Sequence, residues 1–319
     1  MFKFIAKRLA ISALLLFIVT TLVFAFVHMM PGDPVLTMLG VDSNPDPVTV
    51  EKIRTELGLD QPILVQYANY LKGIIHLDLG KSYSEKIPVV QAIASRFPRT
   101  LELAFVSLVL ACLVGIPFGI IAAVRRGKFS DLALTTMASV GTSVPVYVLG
   151  YLLVVIFALN IFNLPIAKLP ASGFTAFSKN PGLHIQKIIL PAITLALGVA
   201  ASIMRTTRSS MLDAMAAESV RPLRAKGLSN GKVIRKHVIR NAMIPVITII
   251  GLQLGNLIGG TVLCETVFNW PGVASLLVKA INHRDYPLIQ GCVLLISVVY
   301  IFTNMMIDII YGILDPRVR

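Results

Sequence analysis

Cysteine is scarce. Cys112, Cys264 and Cys292 are the only three, each in or beside an apolar run. Three are too few for a disulfide framework and none has metal-ligand spacing, so they read as packing residues. The five histidines stand singly, with no pair four residues apart, so no metal site is expected. The chain has no GxxxxGK[ST] phosphate loop, no HExxH motif and no paired nucleophile and base. Nucleotide binding by this chain is thereby excluded, and no catalytic residue is expected. Acids are the rarer charge, 16 Asp and Glu against 29 Lys and Arg, for a net charge of +13. The surplus does not point to nucleic acid. The basic residues gather in short loops between apolar runs, as the positive-inside bias requires. Internal repeats and low-complexity tracts are also missing.

What is present is apolar. Hydrophobic residues make up 55% of the chain and charged ones 14%, with a mean hydropathy of +0.79. A soluble domain builds its core with less. Several runs exceed the ~18 residues that mark a membrane-spanning helix. The first follows Lys3, Lys7 and Arg8 and reaches about Val27. It is longer than a signal-peptide core and no small-residue cleavage site follows, so it reads as a retained span. Five further spans are expected: Thr100 to Val124, Leu132 to about Ile161 with a kink at Pro145, Ile188 to Met204, Ile244 to about Cys264, and Gly291 to Ile313. Gly115, Pro117 and Gly119 in the second are residues that let neighbouring helices approach closely. Residues 30–98 form a polar insert between the first two spans. In it, Val50 to Leu57 reads as a helix, Asp60 as the cap of a second helix begun near Pro62, and Val89 to Arg96 as a third. The organisation expected is a first span with its leading residues (1–29), an external helical insert (30–98) and a membrane core (99–319) with a cytoplasmic region at 205–243. Six spans put both termini on the basic, cytoplasmic side, with Arg317 and Arg319 near Asp308 at the end of the last.

The polar stretch from Met211 to Asn241 organises the rest. Its centre, RAKGLS, predicts a short helix that stops at Gly227, turns, and restarts at Ser229. Arg221, Arg224, Lys226, Lys232, Arg235, Lys236 and Arg240 make it basic. Leu223, Ala225 and Leu228 give it apolar surface that suits a partner's groove as well as a lipid headgroup layer. Gln253 and Asn256, three apart, share a helix face and suit either a polar path or a bond to another helix. Glu265 stands at the outer end of the fifth span, where an acid is a functional candidate by default but suits better a hydrogen bond to the external segment that follows. Trp270, the only tryptophan, lies in FNWPG and reads as an interfacial anchor or part of a gate at the outer mouth. Arg284 and Asp285, in NHRDYP, read as a contact for an external partner or as the end of a short helix over Gly272 to Ile281.

Taken together and in order, several segments resemble one family. They are PGDP at 31–34, LGLDQPILVQYANYL, DLGKS, TLELA, GIPFGIIAAVRRGKFSD, SVPVY, VRPLRAKGLS, HVIRNAMIPVIT, ETVFNWPGVASLLVKAINHRDYPLIQG and the terminal LDPRVR. Over nearly the whole chain these are similar to the B-type permease subunit of bacterial ABC importers for dipeptides, oligopeptides and nickel, most like an oligopeptide permease. The resemblance implies an all-α integral membrane protein with six transmembrane helices of the type I ABC importer class, in a bacterial plasma membrane. It implies alternating access, with Arg221, Arg224, Ala225, Lys226, Gly227 and Leu228 as the helix that couples to an ATPase. The chain departs from the general Glu-Ala-Ala pattern there, having Arg221, Pro222 and Leu223 before Gly227. The partners implied are a homologous second permease, two ATPases that hold ATP and Mg, an extracellular peptide-binding lipoprotein and the bilayer; no cofactor is expected on this chain. Nickel or another small solute is the alternative cargo. A secondary transporter is the rival class, but it wants a midplane acid that the spans do not show.

Overall fold

A computed structural model of the chain describes residues 2–39, 46–161 and 168–314. Among them there is no strand, only an isolated bridge between Lys81 and Pro88. The helices are α1 (Phe2–Met29), α2 (Pro34–Leu39), α3 (Pro47–Glu56), α4 (Ile63–Ile75), α5 (Val89–Val124), α6 (Phe129–Ser143), α7 (Val146–Leu153), α8 (Pro181–Ala216), α9 (Val220–Ala225), α10 (Asn230–Val233), α11 (Ile239–Gly260), α12 (Val262–Val267), α13 (Val273–Asn282) and α14 (Tyr286–Leu314). Two π-helical turns, Val154–Ala158 and Ile234–Val238, extend α7 and join α10 to α11. Arg317 and Arg319 lie outside the described residues.

Five helices are long and apolar enough to cross a membrane, and six if one bent pair is a single span. That pair is α6 with 146–158. The sequence predicts a kink at Pro145; the chain instead turns by 102°. Proline drives the residue before it out of the helical region, and Val144 is extended, with φ −83° and ψ 124°.

One compact unit comprises Ala6–Thr100 and Pro271–Ile301. Its core gathers Val27, Val89, Ile93, Leu276, Leu288 and Cys292. Gly291 is pressed against Val89 and Ile93 so closely that a Cβ does not fit. Two expectations for the insert change here. Pro62, not Asp60, precedes α4, and no side chain caps that end. Val89 to Arg96 is not a separate helix but the opening of α5, which runs on through Pro98. The buried side chains of Val89, Ala92 and Ile93 hold that opening by packing, so one missing backbone bond does not end it.

The other unit is built mainly from Leu101–Trp270. Its spine is α8, on which α6 and α11 pack. Hydropathy alone locates the apolar middle of this helix, from Ile188 to Met204. The helix runs for 36 residues, because Asn180 accepts a bond from the Leu183 amide and Pro181 starts the first turn. It also takes in Met211 to Ala216. The two glycines of α5 behave as their spacing predicts. A Cβ on Gly115 would stand 2.7 Å from the Ala200 carbonyl, and one on Gly119 2.7 Å from that of Met204 and 2.5 Å from Cβ of Thr207. The backbones of α5 and α8 therefore meet directly.

Candidate coupling elbow and path residues

The elbow between α8 and α11 is a small helix on an apolar base. Val220, Val233 and Val238 are buried with Met211, Ala123 and Ala242, and Leu223 and Leu228 pack against them. Val233 and Val238 are five apart, which puts them on different faces of an α-helix. The π turn at Ile234–Val238, with its five-residue bond from the Ile239 amide to the Ile234 carbonyl, brings both onto the buried side. From Val238 the stripe continues at α-helical spacing through Ala242 and Val246, both buried. The opposite side is basic, with Lys232, Arg235, Lys236 and Arg240 all exposed.

α9 ends as the sequence predicts. Gly227 has φ +80°, the left-handed conformation that stops a helix. The Lys226 amide bonds to the Pro222 carbonyl and that of Leu228 to the Leu223 carbonyl. No heavy atom lies within 4 Å of where a Gly227 Cβ would sit. Pro222, Ala225, Lys226, Gly227 and Ser229 are exposed, so the tip is free while its base is clamped. Arg221 and Arg224 belong to α9; their side chains lie outside the described ones.

Beside the elbow the structure adds a pair that sequence reading passes over. Asp131, in the first turn of α6, accepts from Arg208 of α8 at both oxygens, Nε at 2.7 Å and Nη2 at 2.9 Å. Its Oδ2 also takes the Gly127 amide at 3.0 Å. In the sequence Arg208 reads only as a loop-side base, and nothing ties it to an acid 77 positions away; the one cue is an isolated acid just after Arg125, Arg126 and Lys128. The Asp131 side chain is only 8% exposed. Arg208→Ala removes two charge-assisted bonds and leaves that carboxylate buried with one partner. The expected loss is about 1–3 kcal/mol, read as a lower melting temperature of the purified chain. Arg208→Lys, which keeps the charge without the fork, is expected to fall between.

The proposed path residues do not form one cluster. Asn256 donates to Gln253 at 3.3 Å along α11, with Asn256 exposed and Gln253 half-buried. Glu265 is in α12, fully buried, and takes a bond from the Thr261 hydroxyl at 3.2 Å. Trp270 is also fully buried, so it is not an anchor at a lipid interface. Its ring meets Phe174 edge-on at 5.0 Å and lies 6.2 Å from His184. His184, early in α8, holds this aromatic group through its ring nitrogens, 2.7 Å from the Thr175 carbonyl and 2.9 Å from Glu102.

Arg284 and Asp285 are neighbours with different tasks. Arg284 lies over the Gly32 backbone and donates to Thr37 at 3.1 Å. Asp285 is wholly buried. It accepts from Ser82 Oγ at 2.6 Å, from the Ser84 amide and hydroxyl at 2.8 Å each, and from the Leu288 amide at 3.2 Å. Burial, and then the charge of Asp285, raise the Tyr83 phenol above its ordinary range. The carboxylate thus fastens residues 82–84 to the start of α14.

Multiple apolar spans, one sharply bent helix pair and a small elbow with a clamped base and an exposed tip between α8 and α11 define a polytopic helical membrane protein. Residues 115–319 match the family described as binding-protein-dependent transport system inner membrane component, and residues 1–104 match the N-terminal model of the membrane components of such systems. The chain belongs to this family: it is a multi-pass inner membrane permease subunit of an ABC importer, not an enzyme. It is 40% identical over 337 residues to the dipeptide transport system permease protein DppB of Escherichia coli K12, covering 100% of this chain and 99% of that one. It is 42% identical over 319 residues to the glutathione transport system permease protein GsiC of Escherichia coli O6:H1, with the same coverage. Among solved structures it resembles the inward-facing MetNI methionine ABC transporter in fold, with a TM-score of 0.55 at 18% identity over 70% of this chain and 97% of that chain.

Proposed function

We propose that this chain forms half of the translocation pathway of an ATP-driven peptide importer. The observation that carries the reading is full-length similarity to permeases for two kinds of small peptide, dipeptides and glutathione. The elbow supports the mechanism. Its base is fixed to α8 and α11 by buried valines, so force on its exposed tip moves those helices as one body. Arg221, Arg224, Ala225, Lys226 and Gly227 contact an ATPase partner, and Leu228 anchors the turn. The basic elbow faces the cytoplasm, as do both termini. Two ATPases bind ATP and Mg, because this chain lacks a phosphate loop. Their closure draws this elbow and that of a second, homologous permease together and opens the path outward. A peptide-binding lipoprotein then delivers its cargo, and hydrolysis resets the cycle. Gln253 and Asn256 offer amide groups that suit a peptide backbone. Arg284, Asp285 and the segment the carboxylate fastens shape the outer mouth.

Cells lacking only this chain are expected to lose uptake of labelled di- to octapeptides and to regain it with the intact gene. Nickel uptake is expected to be unchanged. Normal peptide uptake with lost nickel uptake would contradict the substrate while keeping the architecture.

A further inference from the structure

We propose that α4 is embedded in the membrane interface and that the groove it completes holds an acyl chain of a bilayer phospholipid. The proposal concerns the insert, not the transported solute. Leu64, Ala68, Leu71 and Ile75 follow one another at steps of four, three and four residues, so they form one stripe along α4. Leu64 and Ile75 are 77% and 79% exposed, and Leu77 just beyond the helix is 80% exposed. Gln66 and Asn69 fall on the other side, and Lys72 on the flank between. An amphipathic helix with so bare an apolar stripe suits the boundary between headgroups and chains.

The contacts of α4 place it there. Its first turn meets the carboxyl end of α1, with Gln66 3.1 Å from His28. Tyr67 bonds to Thr21 at 2.6 Å, and Tyr70 stacks on Phe24 at 5.7 Å. Farther along, Leu71, Ile74 and Ile75 share a groove with Leu16, Phe17 and Thr20 of α1. α4 therefore runs along the second half of the apolar helix α1, from His28 back toward Leu16.

The groove has a volume of about 750 Å³ and is completed by α5 and α14. Thr20 is its one polar lining side chain, and that hydroxyl already donates to the Phe17 carbonyl at 2.9 Å. A peptide backbone or any polar solute would leave its own groups unpaired there. Phe17, Val90 and Val298 line the groove and are 53%, 46% and 40% exposed, so it is open along the apolar sides of α1, α5 and α14. An acyl chain continues that surface inward. Lys72, exposed and next to Leu71, provides a charge for the phosphate.

Two measurements on the complete importer test this. In bilayers with bromine on the acyl chains, Ile75→Trp is expected to add emission over wild type that brominated chains quench at least twofold more than aqueous iodide does. Quenching by iodide and not by the lipid would overturn the placement of α4. The native Trp270, fully buried, is subtracted as background. In native mass spectrometry of the detergent-purified complex, Ala94→Trp, which fills the groove, is expected to lose about one bound phospholipid per chain. An unchanged lipid count, or a groove cysteine that cross-links to a partner subunit and not to a photoactivatable lipid, would overturn the acyl-chain assignment.

Discussion

Gly119→Leu is expected to leave little folded chain in the membrane. The site has no slack. Even the first added carbon would sit 2.7 Å from the Met204 carbonyl and 2.5 Å from Cβ of Thr207. Both belong to α8, whose backbone cannot yield without moving the helix. Four added carbons force α5 and α8 apart, and Gly115, one turn earlier, loses its contact with Ala200 and Ile203. Over-packing of this kind costs about 3 kcal/mol, and in a membrane the close helix contact is the main source of association. The measurement is the yield of monodisperse chain after mild detergent extraction, with Gly198→Leu as control, since nothing lies within 4 Å of a Cβ there. Equal yields would show that the α5–α8 crossing is not close-packed.

Gly227→Trp is expected to do the reverse, sparing the chain and uncoupling it. Space is open around a Cβ at this position, so the folded chain loses only the strain of a left-handed non-glycine residue, about 1–2 kcal/mol. The proposed ATPase groove would have no such space. The variant should insert and extract like wild type, while the ATPase that co-purifies with it falls at least tenfold, about 1.4 kcal/mol in binding. Gly227→Ala separates the two effects: it carries the backbone strain without the bulk, and should retain most of the ATPase. Equal loss in both variants would assign the defect to the turn itself and count against docking at the tip.

Much of this machine is legible in the chain because membrane spans and helix stops are local signals. The apolar runs mark the spans, Gly227 marks the end of α9, and Gly115 and Gly119 mark a close crossing. What stays hidden is long-range or depends on phase. Asp131 and Arg208 are 77 residues apart, and each alone looks like an ordinary terminal charge. The π turn at Ile234–Val238 shifts the helix register by one residue, and it becomes visible only when Val233 and Val238 are seen buried together. Pro145 and Pro98 show how context decides. The same residue type coincides with a 102° break at SVP and is absorbed within α5, where Val89, Ala92 and Ile93 are buried close by. The segment from Trp270 to Asp285 is the least legible part. Trp270 reads in sequence as an interfacial anchor or a gate, and Asp285 as a partner contact or the end of a short helix, yet both are fully buried, one among aromatic rings and the other under serine donors.

The most direct measurement is uptake by proteoliposomes containing the complete importer, with the peptide-binding lipoprotein and labelled peptide on one side and ATP on the other. The account predicts peptide transfer toward the ATP side when ATP is on the side of the 220–229 elbow. It predicts none when ATP is on the opposite side, and none with Gly227→Trp. Transfer that proceeds without ATP, or that survives Gly227→Trp in full, would contradict a pathway driven through the elbow.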